Sequence, residues 1–292
     1  MPSGLFLVDK EPGFTSHDVV AKARKLLGTR KVGHAGTLDP MATGLLVLGV
    51  DSATKLLTFL VGADKTYEAT IRLGQATVTD DREGEIISEA SEAAISKISD
   101  EDIAREISNL TGNIDQVPSS VSAIKVDGVR SYAKVRGGEE VKLAPRPVTI
   151  SRFEVVGNTR RSATTIDIDV IVDCSSGTYI RALARDLGAA LEVGGHLTEL
   201  RRTRVGGFSV ADAQPIGTDD PKIISTFEVA KSFEILEISN DEVVDLRHGK
   251  RLKKSGQKSE AIAAINSGKL IAMLTPSGNQ LKSLVVFNEE NS

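Results

Sequence analysis

The eleven residues His34-Ala-Gly-Thr-Leu-Asp-Pro-Met-Ala-Thr-Gly44 place one imidazole and one carboxylate in a stretch, 29–44, that reads as a shaped loop, too broken for a helix and too polar for a strand. Gly33, Gly36 and Gly44 permit turns, or an approach of backbone to a ligand, that side chains forbid. Pro40 biases Asp39 towards an extended conformation, so the carboxylate is offered on a stiffened loop. Such a group can serve as a nucleophile. It can equally do no more than start a turn, as Asp-Pro pairs commonly do. The rest of the chain offers no Walker loop, no GxGxxG fingerprint and no Cys/His metal spacing. The single cysteine, Cys174, can form neither an internal disulfide nor a cysteine-rich metal site. Chemistry at Asp39 is therefore expected to proceed with no cofactor and no metal.

The elements that must carry this loop are legible on either side of it. Gly4 to Val8 reads as a buried strand, followed by a turn at Lys10-Glu-Pro-Gly13 and a capping signature in which Thr15 precedes Asp18 by three residues. Val19, Val20, Ala23, Leu26 and Leu27 recur at helical spacing, and Gly28 is placed to end that helix. Leu45 to Val50 is a second buried strand, and Ser52 is placed to cap a short helix through Phe59, with Gly62 as its stop. In Lys65 to Leu73, Tyr67, Ala69, Ile71 and Leu73 share one face of a strand, so Tyr67 points the way the core points. A helix is expected over 100–110 and a strand over Thr165–Val172. A further helix rests on Ile180, Leu183, Ala184, Leu187 and Leu191, with Arg181 in its first turn. Residues 113–149 are rich in Pro, Gly and basic side chains and look like an excursion from the fold. Residues 209–232 read as a linker, and 233–289 as short apolar runs between Gly and Asn turns, the pattern of a small all-β module.

A chain of 292 residues with 40% hydrophobic content can fill a core and leave room for a second, smaller domain. No apolar run approaches the roughly 20 residues that span a bilayer, and no leader is evident, so a cytoplasmic protein is expected. The net charge of −4 is unevenly distributed: residues 80–106 carry ten acids against three bases, which leaves the remainder at +3. Basic clusters at Lys22 to Lys31, at Arg201, Arg202 and Arg204, and over Arg247 to Lys258 are placed to track phosphates or simply to solvate a face.

Six segments, in order, resemble the motifs of TruB-type pseudouridine synthases: Gly4 to Lys10, Thr15 to Asp18, Lys31 to Gly44, Asp64 to Tyr67, Gly177-Thr-Tyr-Ile-Arg181 and Leu200-Arg-Arg202. The resemblance implies an α/β fold, a mixed and mostly antiparallel sheet with flanking helices, over residues 1–232. It also implies a thumb-like RNA-gripping insertion at 113–149 and a PUA-like RNA-binding module at 233–292. It implies that uridine 55 in the T arm of tRNA is turned into pseudouridine. Asp39 would be the nucleophile, Arg181 its charge partner, and Tyr67 a stacking residue that could assist proton removal. His34 would fill the gap left by the extruded base and Leu200 would line the base pocket. Tyr179, Lys31 and Arg202 would be further substrate contacts, while Lys10 and His17 are read as mainly structural. The expected partner is tRNA, bound by a monomer without an obligate protein partner. The chain departs from the usual pattern at Ser119, where a second proline is common, at Val121, where a tyrosine is common, and at Ala35 in place of threonine.

Three other readings compete. A guide-RNA-dependent synthase subunit shares the motifs but resembles a version without the insertion at 113–149. An RNA-binding chaperone with silent motifs is disfavoured by intact Asp39, Tyr67 and Arg181. A glycoside or nucleoside hydrolase would want a second placed carboxylate, and the motif loop supplies one.

Overall fold

In the computed structural model, residues 3–119, 143–253, 256–257 and 259–287 are described in full, and residues 125–126 and 129–130 by their backbone. The chain opens with β1 (Gly4–Lys10) and α1 (Ser16–Leu26). The helix starts where the sequence says it should: Thr15 Oγ1 accepts from the Asp18 amide, the Asp18 carboxylate accepts from the Thr15 amide, and Gly28 leaves the helix at φ +62°. A three-residue strand, β2 (Val32–His34), interrupts what the composition suggests is pure loop. It is too short to leave a periodic signal. The chain continues through β3 (Thr43–Val50), a 3₁₀ turn at Asp51–Leu56 and α2 (Leu57–Val61). Ser52 caps neither of these, because its hydroxyl is paired with that of Ser3.

The expected alternation over β4 (Lys65–Leu73) is present, with Tyr67, Ala69, Ile71 and Leu73 buried. Next come the hairpin β5 (Gln75–Thr77) and β6 (Ile86–Glu89), then α3 (Glu92–Ile95), α4 (Asp100–Asn109) and β7 (Gly112–Gln116). The short strands β8 (Lys125–Val126) and β9 (Val129–Arg130) pair with each other. The first part of the expected insertion, 113–116, belongs to β7 of the large sheet, while 120–124, 127–128 and 131–142, with Val121, Lys134, Arg136 and Lys142, lie outside the described residues. Its last part, Arg146 to Thr149, belongs to the long strand β10 (Arg146–Arg161).

Beyond β10 stand β11 (Ile166–Cys174), α5 (Ile180–Ala190) and β12 (Gly195–Val205). Then follow β13 (Phe208–Ser209), β14 (Gln214–Pro215), β15 (Ile223–Ser225) and α6 (Thr226–Ala230). Residues 209–232 are thus not a free linker: β14 and β15 both pair with β1.

The large sheet runs β14-β1-β3-β12-β4-β11-β10-β7, with β2, β13 and β15 attached at its sides. It is antiparallel except where β12 meets β3 and where β14 meets β1. One face of its centre carries Phe6, Leu46, Leu48, Ile71, Ile168 and Val170 and packs under α1, α5 and α4. The contact with α5 is backbone-close, since a Cβ on Gly188 would lie 2.2 Å from Gly194.

The final segment builds a separate five-stranded sheet from β16 (Glu234–Glu237), β17 (Leu252–Lys253), β18 (Ile262–Asn266), β19 (Lys269–Ser277) and β20 (Gln280–Val286). It is not all-β: Ser239 opens a capped helix, α7 (Asn240–Arg247). Ile265, Leu270, Met273 and Phe287 join Leu5, Leu7, Leu45 and Val47 in one apolar cluster, so this sheet shares a core with the other face of β1 and β3. At roughly 1.5–3 kcal/mol for each fully buried large apolar side chain, that shared face is worth a substantial part of a domain's net stability.

Candidate active site

Register brings the site together. Across the large sheet, Gly44 of β3, Arg202 of β12, Tyr67 of β4 and Val172 of β11 stand in one row. Gly44 has φ +96°, and a Cβ there would sit 2.3 Å from the Arg202 carbonyl oxygen, so the loop can enter the sheet at this point only through glycine. Arg202 is 1% exposed. Its guanidinium donates from Nε to Leu45 O at 2.8 Å, from Nη2 to Gly36 O at 3.1 Å and from Nη1 to Thr37 O at 3.4 Å.

Every residue from 36 to 40 is tethered in this way to a group outside the loop. Arg202 holds Gly36 and Thr37. Ser16 Oγ donates to Leu38 O and accepts from Leu38 N, at 3.1 and 2.8 Å. Lys10 Nζ donates to Pro40 O at 3.1 Å and to Phe14 O at 2.7 Å, and Gly13 N also reaches Pro40 O. Lys10 is almost fully buried, and burial lowers its pKa to about 8. Asp39 does start a turn, its carbonyl accepting from the Ala42 amide at 3.1 Å, with Pro40 in the second position that favours it. The turn uses only backbone, and the carboxylate is left for other work.

That carboxylate meets Arg181, which is 5% exposed against 35% for the Asp39 side chain. Nε donates to Oδ2 at 3.0 Å and Nη2 to Oδ1 at 3.2 Å, a bidentate fork that fixes the plane of the carboxylate. The same Nε also lies 3.6 Å from Oδ2 of the buried Asp81, and Nη1 donates to Thr79 O at 2.8 Å. The approach to α5 is pinned at Tyr179, whose amide donates to Gln116 Oε1 at 2.8 Å and whose carbonyl accepts from Gln116 Nε2 at 3.1 Å.

Asp39 and Arg181 open on a cavity of about 280 Å³, which Tyr67, Tyr179, Leu200, Arg202, Lys65 and Thr178 help to line. Its size lies near the lower end of small-ligand pockets. A larger cleft of about 540 Å³ shares Leu200 but includes neither Asp39 nor Arg181, and its charged lining is Glu68, Asp169 and Glu199 with Arg82 and Arg201. Burial raises the Tyr67 phenol above its ordinary pKa, against the opposing effect of Arg202 beside it. A phenol so placed stays protonated at neutral pH, which suits a stacking surface better than a proton acceptor.

Of the residues singled out in the sequence, five line this cavity with Asp39: Arg181, Tyr67, Tyr179, Leu200 and Arg202. Arg202 does so in a different capacity from the phosphate contact expected of it, because its guanidinium is buried and committed to loop carbonyls. Its neighbours are committed too: Arg201 pairs with Asp9 at 2.7 Å, and Arg204 donates to Thr66 Oγ1 at 2.9 Å. His34 is not part of the cavity lining. It sits edge-on to His17 at 5.9 Å, with Nδ1 buried and lacking a hydrogen-bond partner among the described residues, and burial lowers its pKa. Lys31 is exposed and away from the cavity.

Sequence reasoning missed Asp80, Asp81, Ser119 and Lys65. The two aspartates are counted in the acidic run 80–106, whose other acidic side chains are exposed or half-buried, yet both are buried against α5. Only the turn signal at Gly84 hints that the run is divided.

Comparison with known proteins places these findings. Residues 24–180 match the model of the TruB family pseudouridylate synthase N-terminal domain. Residues 181–220 match a tRNA pseudouridylate synthase B C-terminal domain, and 233–288 match the C-terminal domain of tRNA pseudouridine synthase II. The tRNA pseudouridine synthase B of Leifsonia xyli is 56% identical over 98% of this chain and 96% of its own length. That of Rhodococcus jostii is 54% identical over 97% and 93%. Among solved structures, an H/ACA RNP bound to a substrate RNA containing 2'-deoxyuridine superposes with TM-score 0.69 at 23% identity, covering 99% of this chain and 86% of that one. A Cbf5-Nop10-Gar1 complex gives TM-score 0.68 at 24% identity, covering 98% and 84%. At that identity the likeness is one of fold.

Proposed function

The chain belongs to the TruB family of pseudouridylate synthases, and from that premise we propose that it converts uridine 55 in the T arm of tRNA into pseudouridine with Asp39 as nucleophile. The observation that carries the reading is the Asp39 carboxylate, gripped by a buried guanidinium and opening on a cavity next to Tyr67 and Leu200.

The reaction is an isomerisation. The N1–C1′ bond breaks, the base turns, C5 bonds to C1′, and the C5 proton is lost while N1 gains one, so atoms and electrons balance without a co-reactant. Asp39 can assist by bonding transiently to C1′ or C6, or by promoting a glycal. Each route needs an ionised carboxylate in a site that excludes water, which burial alone would neutralise. Arg181 answers that need with a fixed charge and a fixed orientation. Tyr67 stacks on the extruded base and Leu200 packs against it. His34, outside the cavity lining, fills the gap in the tRNA stack in this reading, a role that rests on its place in the matched motif.

Residues 1–232 form the catalytic domain and 233–292 the RNA-binding module in this reading. The high identity to relatives named tRNA pseudouridine synthase B favours an enzyme acting on tRNA rather than a guided subunit; a cytoplasmic monomer is the form this reading takes. Mapping pseudouridine in total tRNA from cells with and without the protein tests the proposal. Loss confined to position 55 is expected, and an unchanged level there would overturn it.

A further inference from the structure

Arg181 directs Nε and Nη2 at Asp39, with Asp81 Oδ2 3.6 Å from Nε, and Nη1 helps to set how the guanidinium is turned. Nη1 donates to Thr79 O at 2.8 Å and to Ser119 Oγ at 3.2 Å. Ser119 is fully buried, and its single hydroxyl proton has two acceptors within reach, Asp80 Oδ2 at 2.7 Å and Thr79 O at 3.4 Å. The nearer, charged oxygen takes the proton, so the lone pairs of Ser119 face Nη1. Asp80 adopts φ +59°, a left-handed conformation that a non-glycine residue keeps only when its surroundings hold it there. It is held by Ser119 and by Arg185 Nη1 at 3.4 Å. Arg185 stands one turn after Arg181 on α5, and its Nη2 donates to Val117 O at 2.7 Å. The segment 117–119 is thereby fastened to the helix that carries Arg181.

We propose that Ser119, oriented by Asp80, is a positioning residue that turns the Arg181 guanidinium so that its fork meets Asp39, acting on the chemical step and not on RNA binding. The proposal rests on the Asp39–Arg181 reading above. The groups facing Asp80 are Arg181, Arg185 and Asp186 from α5, Asp81 beside it in sequence, and Ser119 opposite. Burial raises the Asp80 pKa, with Ser119 and the two arginines opposing. Once protonated, Asp80 becomes a donor that competes with Arg181 for Ser119 Oγ. The wild-type rate then falls on the acid side.

The test is single-turnover release of tritium from C5-labelled tRNA at saturating enzyme, with tRNA affinity measured separately by filter binding. Ser119→Ala is expected to slow the step about tenfold, the loss typical of one hydrogen bond to a charged group, with affinity within about twofold. Asp80→Asn is expected to slow it similarly and to flatten the acid limb, and the double variant to be no slower than the worse single one. A Ser119→Ala rate within about twofold of wild type overturns the proposal. So does a loss that appears only as weaker tRNA binding, or single losses that multiply in the double variant. Should Ser119→Ala melt below the assay temperature, Asp80→Asn decides: an acid limb left at the wild-type pH, with none of its fall moved to lower pH, overturns the proposal. Asp39→Asn in the same assay separates the two layers of argument, since turnover by that variant removes the Asp39 reading itself.

Discussion

Residues 36–40 and the C-terminal sheet are both fixed parts of the molecule, held by opposite means. The sheet is held by apolar side chains such as Ile265, Leu270 and Met273, each touching many neighbours and none indispensable. The loop is held one residue at a time, by Arg202, Ser16, Arg181 and Lys10. Apolar packing stabilises a region without choosing a conformation for each residue, whereas a buried donor aimed at one carbonyl specifies a position. A carboxylate that must meet a particular atom of a substrate needs the second kind of support.

Four measurements would break or sharpen this contrast. Asp39→Asn weakens only the Arg181 fork and leaves the other tethers and the apolar packing in place; it is expected to lower turnover by more than about a thousandfold while tRNA affinity stays within about tenfold. Substantial activity in that variant would deprive the loop's rigidity of its purpose. Arg202→Leu and Met273→Ala set the two regions directly against each other. The first removes the donor from the buried Leu45 carbonyl, at about 1–3 kcal/mol, and from the more exposed Gly36 and Thr37 carbonyls, at less, and the rate per folded molecule should fall at least about tenfold. The second should cost about 2–5 kcal/mol of stability through its cavity and leave the rate per folded molecule unchanged. Melting curves alongside single-turnover rates check this, and equal rate losses for equal stability losses would erase the distinction.

Lys10 supplies the pH test. Its native pKa of about 8 lies below the ordinary 10.5, so between those values the unfolded chain holds a proton the native chain has released. Its contribution to stability therefore rises with pH across that window. The rate should move the other way, falling as pH passes about 8, because a neutral amine has one donor fewer for the carbonyls of Glu11, Phe14 and Pro40. Lys10→Met should be slow and lack this alkaline limb, and an unchanged limb would place the titration elsewhere. The smallest effect belongs to Ser239→Ala, which removes the cap of α7. It should cost about 1 kcal/mol in thermal stability and nothing in rate.

The sequence disclosed elements wherever periodicity or caps were strong. The alternation of β4 and the Thr15/Asp18 box are where the pattern puts them. It did not disclose β12, because register shifts between Leu197 and Glu199 and between Arg202 and Arg204 break the two-residue period. It misjudged 209–232, since strands of two or three residues carry no period at all. It took Arg202 for a phosphate ligand because one-dimensional charge does not say whether a cation is solvated. It buried Asp80 and Asp81 in an acidic count for the same reason. Asp39 and Arg181 were legible only through an ordered set of motifs, and their hydrogen-bonded meeting across 142 positions is a property of the fold alone.

The tethers of the loop also set a schedule. Two of them, at residues 10 and 16, precede it in the chain, but the other two lie at 181 and 202. Contacts of such long sequence separation form late, after the intervening chain has been ordered. A polypeptide emerging from the ribosome would thus carry the Asp39 carboxylate for most of its synthesis without the means to aim it. Competence arrives only once the strand bearing Arg202 has left the exit tunnel and slotted beside Gly44.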